Sequence, residues 1–331
     1  MPSWVRLLQI PAVGAIFTLL AWQLDLSAIR RDLREVELWH LSAVTVLNLP
    51  VAVLYATRSH AILAKLGHHI RPQVLLPVAI LGNVAGSFTP ASVGEVLRTG
   101  ALGAHGSVDG EDSAALVLFE RVMSLFLMTL GAVGVLAFFW MSPVVAGLCV
   151  LGLVAVALGG PILGGRLLGM APGSSASTSG LVGSMLLRLR NVSGRLRVIL
   201  DDVPLLVFWS AQTAAIFAIN TLQFWLLARS LSSGIRLDEA WLAFCLPTLV
   251  GVLSLIPLGL GAFDGSVAAA FDRLGTTLEQ GTVIAVVVRA AISLPMLLLA
   301  LLSYLYLARR LPAPAAGSET SDSSPRPQSP D

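Results

Sequence analysis

Charged residues are scarce in this sequence, and their scarcity excludes most classes of soluble protein. They make up 12% of the chain, whereas a soluble domain carries about 25%. Hydrophobic residues make up 56%, and the mean hydropathy is +0.83. We therefore predict an all-α, polytopic integral membrane protein with no separate soluble domain of ordinary size.

Cysteine and catalytic motifs are almost missing as well. Cys149 and Cys245 both lie in apolar runs, and we expect small buried hydrophobes rather than a disulfide or a metal site. The histidines have no ligand-like spacing with carboxylates, so we predict no metal ion. The sequence also has no ATP-binding motif, no Asp-x-Asp signature and no cluster around a nucleophile. These absences predict a protein that is not an enzyme and that needs no cofactor.

Six apolar runs are long enough to cross a membrane, which takes about 20 mostly apolar residues. They are Leu7–Leu24, Leu38–Ala56, Ala114–Trp140, Pro143–Leu163, Pro204–Leu227 and Thr282–Leu307. No small-x-small cleavage pattern follows the first run, so we expect a retained span rather than a signal peptide. Two further apolar stretches are interrupted, Val74–Ala104 at Pro90 and Trp241–Leu274 at Pro257.

Each interrupted stretch has two possible structures. It is either a full span followed by an external helix, or a re-entrant hairpin that enters and leaves on one side. Cytoplasmic loops carry an excess of Lys and Arg. Only the hairpin alternative places all three basic segments in the cytoplasm, so we favour it; these segments are Arg58/Lys65/Arg71, the loop from Arg166 to Arg197, and Arg309/Arg310. Both termini are then cytoplasmic.

The hairpin interpretation produces an inverted repeat. Residues 5–140 and 143–308 would each contain two spans, one hairpin and a further span, and the two hairpins would open to opposite sides. Transporters are often built in this way, with the substrate site at the broken helices. The transmembrane domain would cover residues 1–308, and the Pro- and Ser-rich residues 309–331 would form a disordered cytoplasmic tail. The arginine-rich segment Met185–Leu200 is expected to anchor at the anionic inner leaflet.

Ionisable side chains occur where a membrane disfavours charge, since an ionised group at mid-bilayer costs about 2.5–3.5 kcal/mol. The candidate substrate-binding residues are Glu95, Arg98, Arg121, Asp264 and Arg289. Arg121 and Arg289 hold matching places in the two repeats, and a guanidinium presents a planar fork of donors that suits phosphate. We expect each arginine to bind an anionic headgroup, to pair with a hairpin carboxylate, or to do both.

Two further pairings are open from sequence. Glu95 and Arg98 lie about one helical turn apart and could pair with each other. Glu120 could pair with Arg98 or face the same cavity. We leave these alternatives open.

Helix-breaking residues flank the charges in both stretches. A helix break leaves backbone N–H and C=O groups without their hydrogen-bond partners, and in a membrane only protein or a water-filled cavity can replace them. The predicted hinge positions are Pro90, Gly94, Pro257, Gly259 and Gly261. Asn83 is expected to have a structural role, in which its amide bonds to the backbone that Pro90 frees.

The spacing of these residues resembles a known family. The residues Gly82-Asn83, Pro90-x-x-x-Gly94-Glu95-x-x-Arg98 and Glu120-Arg121, followed by Pro257-x-Gly259-x-Gly261 and Arg289, are similar to motifs of the transmembrane flippase-like domain of the lysylphosphatidylglycerol synthase family, including its YbhN-like stand-alone members. The resemblance covers roughly residues 5–308. In the second motif the family usually has a Gly-Gly-x-Gly-x-x-Glu type run, where this chain has Asp264. In bifunctional members this domain moves an aminoacylated phospholipid across the membrane.

The residues and the resemblance together predict a lipid transporter of the cell membrane. It would move an anionic phospholipid or a lipid-linked intermediate between leaflets, and it would have no nucleic-acid partner. Without an ATP motif, uphill transport would need an ion gradient or consumption of the lipid, and Glu95 and Asp264 are candidate proton carriers. Two alternatives stay open: a non-catalytic scaffold or accessory subunit for a partner lipid- or glycan-synthesis enzyme, and a membrane-embedded lipid-modifying transferase.

Overall fold

The structure is a computed structural model, which describes residues 37–88, 95–140, 144, 181–230, 234–254 and 256–310. These residues form helices and no strand, so the predicted all-α class is confirmed. In chain order the helices are α1 (Leu38–Lys65), α2 (Pro72–Phe88), α3 (Glu95–Gly106), α4 (Gly110–Trp140), α5 (Leu181–Leu200), α6 (Val203–Ser230), α7 (Leu237–Leu253), α8 (Ala262–Arg273), α9 (Leu278–Val288) and α10 (Leu294–Arg310). A 3₁₀ turn, Pro257–Gly259, precedes α8, and a π-helical turn, Arg289–Ser293, joins α9 to α10.

Four helical segments in the described ranges are long and apolar enough to cross a membrane. They are Leu38–Lys65, Gly110–Gly134, Val203–Ser230 and Leu278–Arg309, and each overlaps one of the six predicted spans. The other two predicted spans, Leu7–Leu24 and Pro143–Leu163, lie outside the described residues. The number of spans and the boundaries of the two repeats therefore stay predictions.

The last helix shows the surface expected of a membrane span. Its exposed apolar residues include Leu294, Leu297, Leu298, Leu301, Leu302 and Leu305. These side chains recur at helical spacing, so they form one broad apolar face that suits contact with lipid. Helix α10 continues to Arg310, two residues into the predicted tail, and residues 311–331 lie outside the described part.

The first interrupted stretch forms two helices, α2 and α3, that pack side by side. They run antiparallel, because Gly86 lies beside Glu95 while Gly82 lies beside Arg98. A Cβ atom added to Gly82 would lie 2.6 Å from the Cβ of Arg98. The two glycines are spaced as in the Gly-x-x-x-Gly motif, which lets membrane helices approach closely. The predicted hairpin pairing is thus present.

The second interrupted stretch also forms a packed pair, α7 and α8. The chain turns between them at Pro257, and the backbone takes left-handed φ values of 61° at Gly259 and 80° at Gly261. A Cβ atom on Gly259 would lie 2.8 Å from the Cα of Gly251, so this approach is between backbones. The predicted helix break is therefore found at these glycines, which accept such φ values without steric cost.

The arginine-rich segment forms helix α5, which packs against α4. The Arg195 Nε lies 2.9 Å from a carboxylate oxygen of Asp112, in the first turn of α4. The amide of Asn191 donates to Glu111 at 2.9 Å. Arg188, Arg190 and Arg197 remain exposed, as a helix that meets an anionic surface requires.

Candidate functional site

Glu120 of α4 is the centre of a buried polar network. Its Oε2 accepts a hydrogen bond of 2.6 Å from Arg98 Nη1, and its Oε1 accepts one of 2.8 Å from the hydroxyl of Ser59 on α1. A second nitrogen of Arg98, Nη2, donates to the same hydroxyl at 2.7 Å. The side chains of Arg98 and Glu120 are only 5% and 4% exposed. A pair buried out of water needs further hydrogen bonds to offset its desolvation, and Ser59 supplies one to each partner.

Arg58 of α1 joins this network, although its place after an apolar run predicted a cytoplasmic basic segment. Its Nε lies 3.7 Å from Glu120 Oε1, and its guanidinium sits 4.6 Å from the ring centroid of Tyr55 and 5.0 Å from that of Trp209. Helix α1 does not end near Ala56, so Arg58 is buried inside a continuous helix. The apolar residues 61–63 that follow Arg58 are the feature of the sequence that could have indicated a helix continuing past it.

Glu95, at the start of α3, pairs with Arg121 of α4 through its Oε1. The Glu95 side chain is 5% exposed, whereas that of Arg121 is 33% exposed. Gly86 makes room for the pair, since a Cβ at that position would lie 2.5 Å from Arg121 Nη2. A small residue on α2 thus allows the ion pair to lie directly against the helix.

The alternative pairing of Glu95 with Arg98 is wrong. The two carboxylates are shared out in the other possible way, with Glu95 to Arg121 and Glu120 to Arg98. The two acceptors are equally buried but differ in position, because Glu120 lies beside Ser59 while Glu95 lies against Gly86. Arg98 bonds to Glu120, and the pairing of these two residues that the sequence left open is confirmed.

The second half of the chain has a smaller set of charges. Arg289, at the start of the π-helical turn, donates from Nε to Asp264 Oδ1 at 2.6 Å and from Nη2 to Asp264 Oδ2 at 2.9 Å. The carbonyl of Leu258, in the hairpin turn, accepts a further bond of 3.1 Å. Asp264 Oδ2 also accepts from the backbone N–H of Gly261 at 3.0 Å. The predicted pairing of Arg289 with the hairpin carboxylate is confirmed.

The π-helical turn after Arg289 is held by buried amide side chains. Wide helical turns leave backbone groups without their ordinary partners and are frequent at functional sites. The carbonyl of Ala291 accepts a 3.0 Å hydrogen bond from Asn48 of α1. Gln223 of α6 in turn donates to the carbonyl of Val44 at 2.9 Å. Gln223 also donates to Asn48 Oδ1 at 3.4 Å, so it positions the amide that bonds the π-helical turn.

Both sets of charges meet at one cavity of about 780 Å³, within the range of about 300–1,000 Å³ typical of ligand sites. We call Arg58, Glu95, Arg98, Glu120 and Arg121 the first charge cluster, and Asp264 with Arg289 the second charge cluster. The cavity is lined by every member of the first cluster and by Arg289. Asp264 is not among the lining residues.

Two of the predicted structural and hinge residues line this cavity, and a third lies next to it. Asn83 of α2 and Gly259 of the second hairpin line it, and Pro257 opens the 3₁₀ turn beside Arg289's partner Leu258. Pro90 and Gly94 lie outside the described residues, so the predicted bond from Asn83 to the backbone near Pro90 stays a prediction.

Comparison with known proteins identifies the family. The family described as "Lysylphosphatidylglycerol synthase TM region" matches residues 5–300. The chain belongs to this family. A "UPF0104 membrane protein" of Methanothermobacter thermautotrophicus is 22% identical over 277 residues, which cover 78% of this chain and 82% of that protein.

Membership of the lysylphosphatidylglycerol synthase TM-region family agrees with the resemblance stated from the motifs. The family match includes both charge clusters, since residues 5–300 span Arg58 through Arg289. The chain is therefore a multi-pass membrane protein of a lipid-related family, with its charged side chains gathered at a single cavity.

The chemistry of the cavity in this family member suits an anion. Four arginines line it against two glutamates, and Asp264 pairs with Arg289 beside it, so the two clusters together carry one more positive than negative charge. Arg121 and Arg289 are the more exposed arginines, with side chains 33% and 21% exposed, while Arg58 and Arg98 are buried. An anion that entered would meet Arg121 and Arg289 first. No group of three His, Cys, Asp or Glu in the described ranges is placed to hold a metal ion.

Proposed function

We propose that this protein is a lipid transporter, which moves an anionic phospholipid or lipid-linked intermediate between the leaflets of the cell membrane. The observation that carries the proposal is the pair of partly exposed arginines, Arg121 and Arg289, at one cavity. They come from different halves of the chain, and each is held by a carboxylate of a hairpin helix. A phosphate that replaces one of those carboxylates keeps the arginine paired.

This exchange supplies a physical basis for transport. An arginine that loses its carboxylate without a substitute is left as an unpaired charge in a partly buried site, which is unfavourable. A headgroup phosphate removes that cost, so lipid binding favours states in which the hairpin has separated from its arginine. The headgroup would pass along the cavity while the acyl chains stay in the bilayer. In this role the protein carries out no chemical step and needs no cofactor. The proposed orientation places both termini in the cytoplasm.

The test is leaflet exchange of fluorescent phosphatidylglycerol in liposomes that contain the purified protein. Arg121→Ala and Arg289→Ala should each abolish exchange while the protein still elutes as a single species from a sizing column. Arg→Lys at either position should restore only part of the rate, because an ammonium lacks the bidentate fork. Arg273→Ala is the matched control, since Arg273 is exposed and lies away from the cavity.

Three other results would contradict the proposal. Full exchange by both folded Arg→Ala variants would show that these arginines do not hold the headgroup. Chemical conversion of the lipid, detected by mass spectrometry of the same vesicles, would indicate a lipid-modifying transferase. Neither exchange nor conversion until a lipid- or glycan-synthesis enzyme is added would indicate an accessory subunit.

A further inference from the structure

The three carboxylates of the charge clusters differ in how their oxygens are used. Both oxygens of Glu120 accept hydrogen bonds, from Ser59 and Arg98. Both oxygens of Asp264 accept them too, from Arg289 and from the backbone of Gly261. Glu95 uses only Oε1, and its Oε2 is buried without a hydrogen-bond partner in the described part of the chain.

Arg121 is the single hydrogen-bonded cation of Glu95 among the described residues, and it is also the most exposed arginine of the first charge cluster. An anionic headgroup in the cavity would compete with Glu95 for the N–H donors of Arg121. If the headgroup takes those donors, Glu95 is left as an uncompensated carboxylate in a buried site. That state costs several kcal/mol, and such a group gains a proton instead.

The surroundings of Glu95 favour this outcome. Helix α2 and residues 89–94 carry no titratable side chain. The charged groups that face Glu95 are Arg98 on its own helix and Glu120 and Arg121 on α4. Arg98 is already bonded to Glu120, which also lies near Arg58 of α1. Once Arg121 is occupied, Glu95 therefore has no other cation free to replace it in this group.

We propose that Glu95 takes up one proton each time an anionic headgroup binds at Arg121, so that lipid and proton share the cavity. This inference rests on the proposed function. The step breaks the Glu95–Arg121 ion pair, forms an Arg121–phosphate pair, and adds a proton from water to the free oxygen of Glu95. One negative charge and one positive charge enter together, so the net charge of the site is unchanged. Binding is electroneutral.

The first experiment measures binding in detergent with short-chain phosphatidylglycerol, whose phosphodiester does not titrate near neutral pH. The affinity should rise about tenfold for each pH unit lowered, over the range in which Glu95 is ionised in the free protein and protonated in the complex. Calorimetry in buffers of different ionisation enthalpy should find about one proton taken up per lipid bound. Glu95→Gln should remove both the pH dependence and the proton uptake.

Two further variants complete the binding experiment. Glu279→Gln is the matched control, because Glu279 is exposed on α9 outside the cavity, and it should keep the wild-type pH dependence. Glu95→Asp keeps a titratable carboxylate and should keep the proton uptake. It also preserves the test if Glu95→Gln does not fold.

The second experiment uses liposomes. An imposed pH gradient should drive net movement of phosphatidylglycerol toward the alkaline side, whereas an imposed membrane potential should not change its rate. Binding with no pH dependence and no proton uptake, beside normal leaflet exchange, would overturn the proton step and leave lipid transport standing. Proton uptake that persists in folded Glu95→Gln would also overturn it. Wild-type protein that neither binds nor exchanges phosphatidylglycerol would overturn the proposed function itself.

Discussion

Both charge clusters pair an arginine with a hairpin carboxylate, but the further partners of these charges differ between the two clusters. Each links a hairpin carboxylate to an arginine of the helix that follows, Glu95 to Arg121 in the first and Asp264 to Arg289 in the second. The first adds a separate buried network, in which Glu120 serves two arginines. The second adds only backbone groups, from Leu258 and Gly261. The two halves therefore share an arginine–carboxylate pair but differ in the number of charged side chains around it.

This difference shows which groups hold the charges in place in each half of the chain. In the first half, side chains neutralise one another, so removal of one charge leaves others buried and unpaired. In the second half, an unusual backbone does the same work: Leu258 adopts a φ of 57° and turns its carbonyl to Arg289, and a π-helical turn carries the arginine. Backbone partners are present in any variant, so the second cluster should tolerate substitution better than the first.

The largest expected effect comes from breaking the shared carboxylate of the first charge cluster. Glu120→Gln leaves Arg58 and Arg98 buried without their anion, and loss of one partner of a buried pair costs about 3–5 kcal/mol. Asp264→Asn in the second charge cluster should cost less, because Arg289 is partly exposed and keeps its bond to the Leu258 carbonyl. Thermal unfolding of the purified proteins in detergent measures both.

The order of these two variants is the decisive result. If Asp264→Asn lowers the melting temperature as much as Glu120→Gln does, the backbone partners of Arg289 contribute little and the proposed difference between the halves is wrong. Glu279→Gln again provides a control for an exposed glutamate.

A moderate effect is expected at the helix contact that positions the first cluster. Gly82→Ala places a methyl group 2.6 Å from the Cβ of Arg98, which the backbone cannot avoid without moving α2 from α3. Overpacking of this kind costs about 1–3 kcal/mol. Gly100→Ala is the control: no atom lies within 4 Å of the added Cβ, and the change should stabilise helix α3 by about 0.5–1 kcal/mol.

Melting curves and leaflet exchange would both register the Gly82 variant. Equal melting temperatures for Gly82→Ala and Gly100→Ala would mean that the hairpin is not closely packed at Gly82. The close approach of Gly259 to Gly251 is the corresponding contact in the second half. It is between two backbones, so no flexible side chain could move to make room for an added Cβ.

Composition and local pattern were enough to predict the class, the four described spans, both helix pairs and the pairing of Arg121 and Arg289 with hairpin carboxylates. Hydropathy identifies spans because a bilayer selects for apolar length, and Pro257 with its glycines marks a break because few other residues adopt that backbone. The partner of Arg98 was not predictable in the same way. Glu95 is near Arg98 in sequence, but the choice of Arg98 between Glu95 and Glu120 depends on how α3 packs against α4.

Arg58 illustrates the other limit of the sequence. A charge at the end of an apolar run is usually a loop residue, and positive charge near a span is ordinary in the cytoplasm. Its buried role depends on Glu120 and Trp209, which are far away along the chain. The π-helical turn at Arg289 was equally hidden, because the hydrogen bond from Asn48 to Ala291 joins distant helices.

The smallest expected effect tests an ion pair outside both clusters. Lys65 Nζ lies 2.6 Å from Asp202 Oδ2, where both side chains are partly exposed, and the other oxygen of Asp202 accepts from the Leu205 N–H at the start of α6. The hydrogen bond from Lys65, and then that from Leu205, lower the pKa of Asp202 below its ordinary value of 3.8. A carboxylate with a lowered pKa contributes stability that is complete above its unfolded value and is lost as the pH falls through its folded value. The melting temperature of the wild type should therefore exceed that of Asp202→Asn at about pH 6, and the difference should shrink toward about pH 3.

Subtracting the melting temperature of the Asn variant at each pH removes the contribution of the other carboxylates. Lys65→Gln should lose most of this difference, since Lys65 is the larger cause, and a difference that does not change with pH would show that the pair contributes nothing. The effect should be smaller than at Glu120, because solvent screens a partly exposed pair.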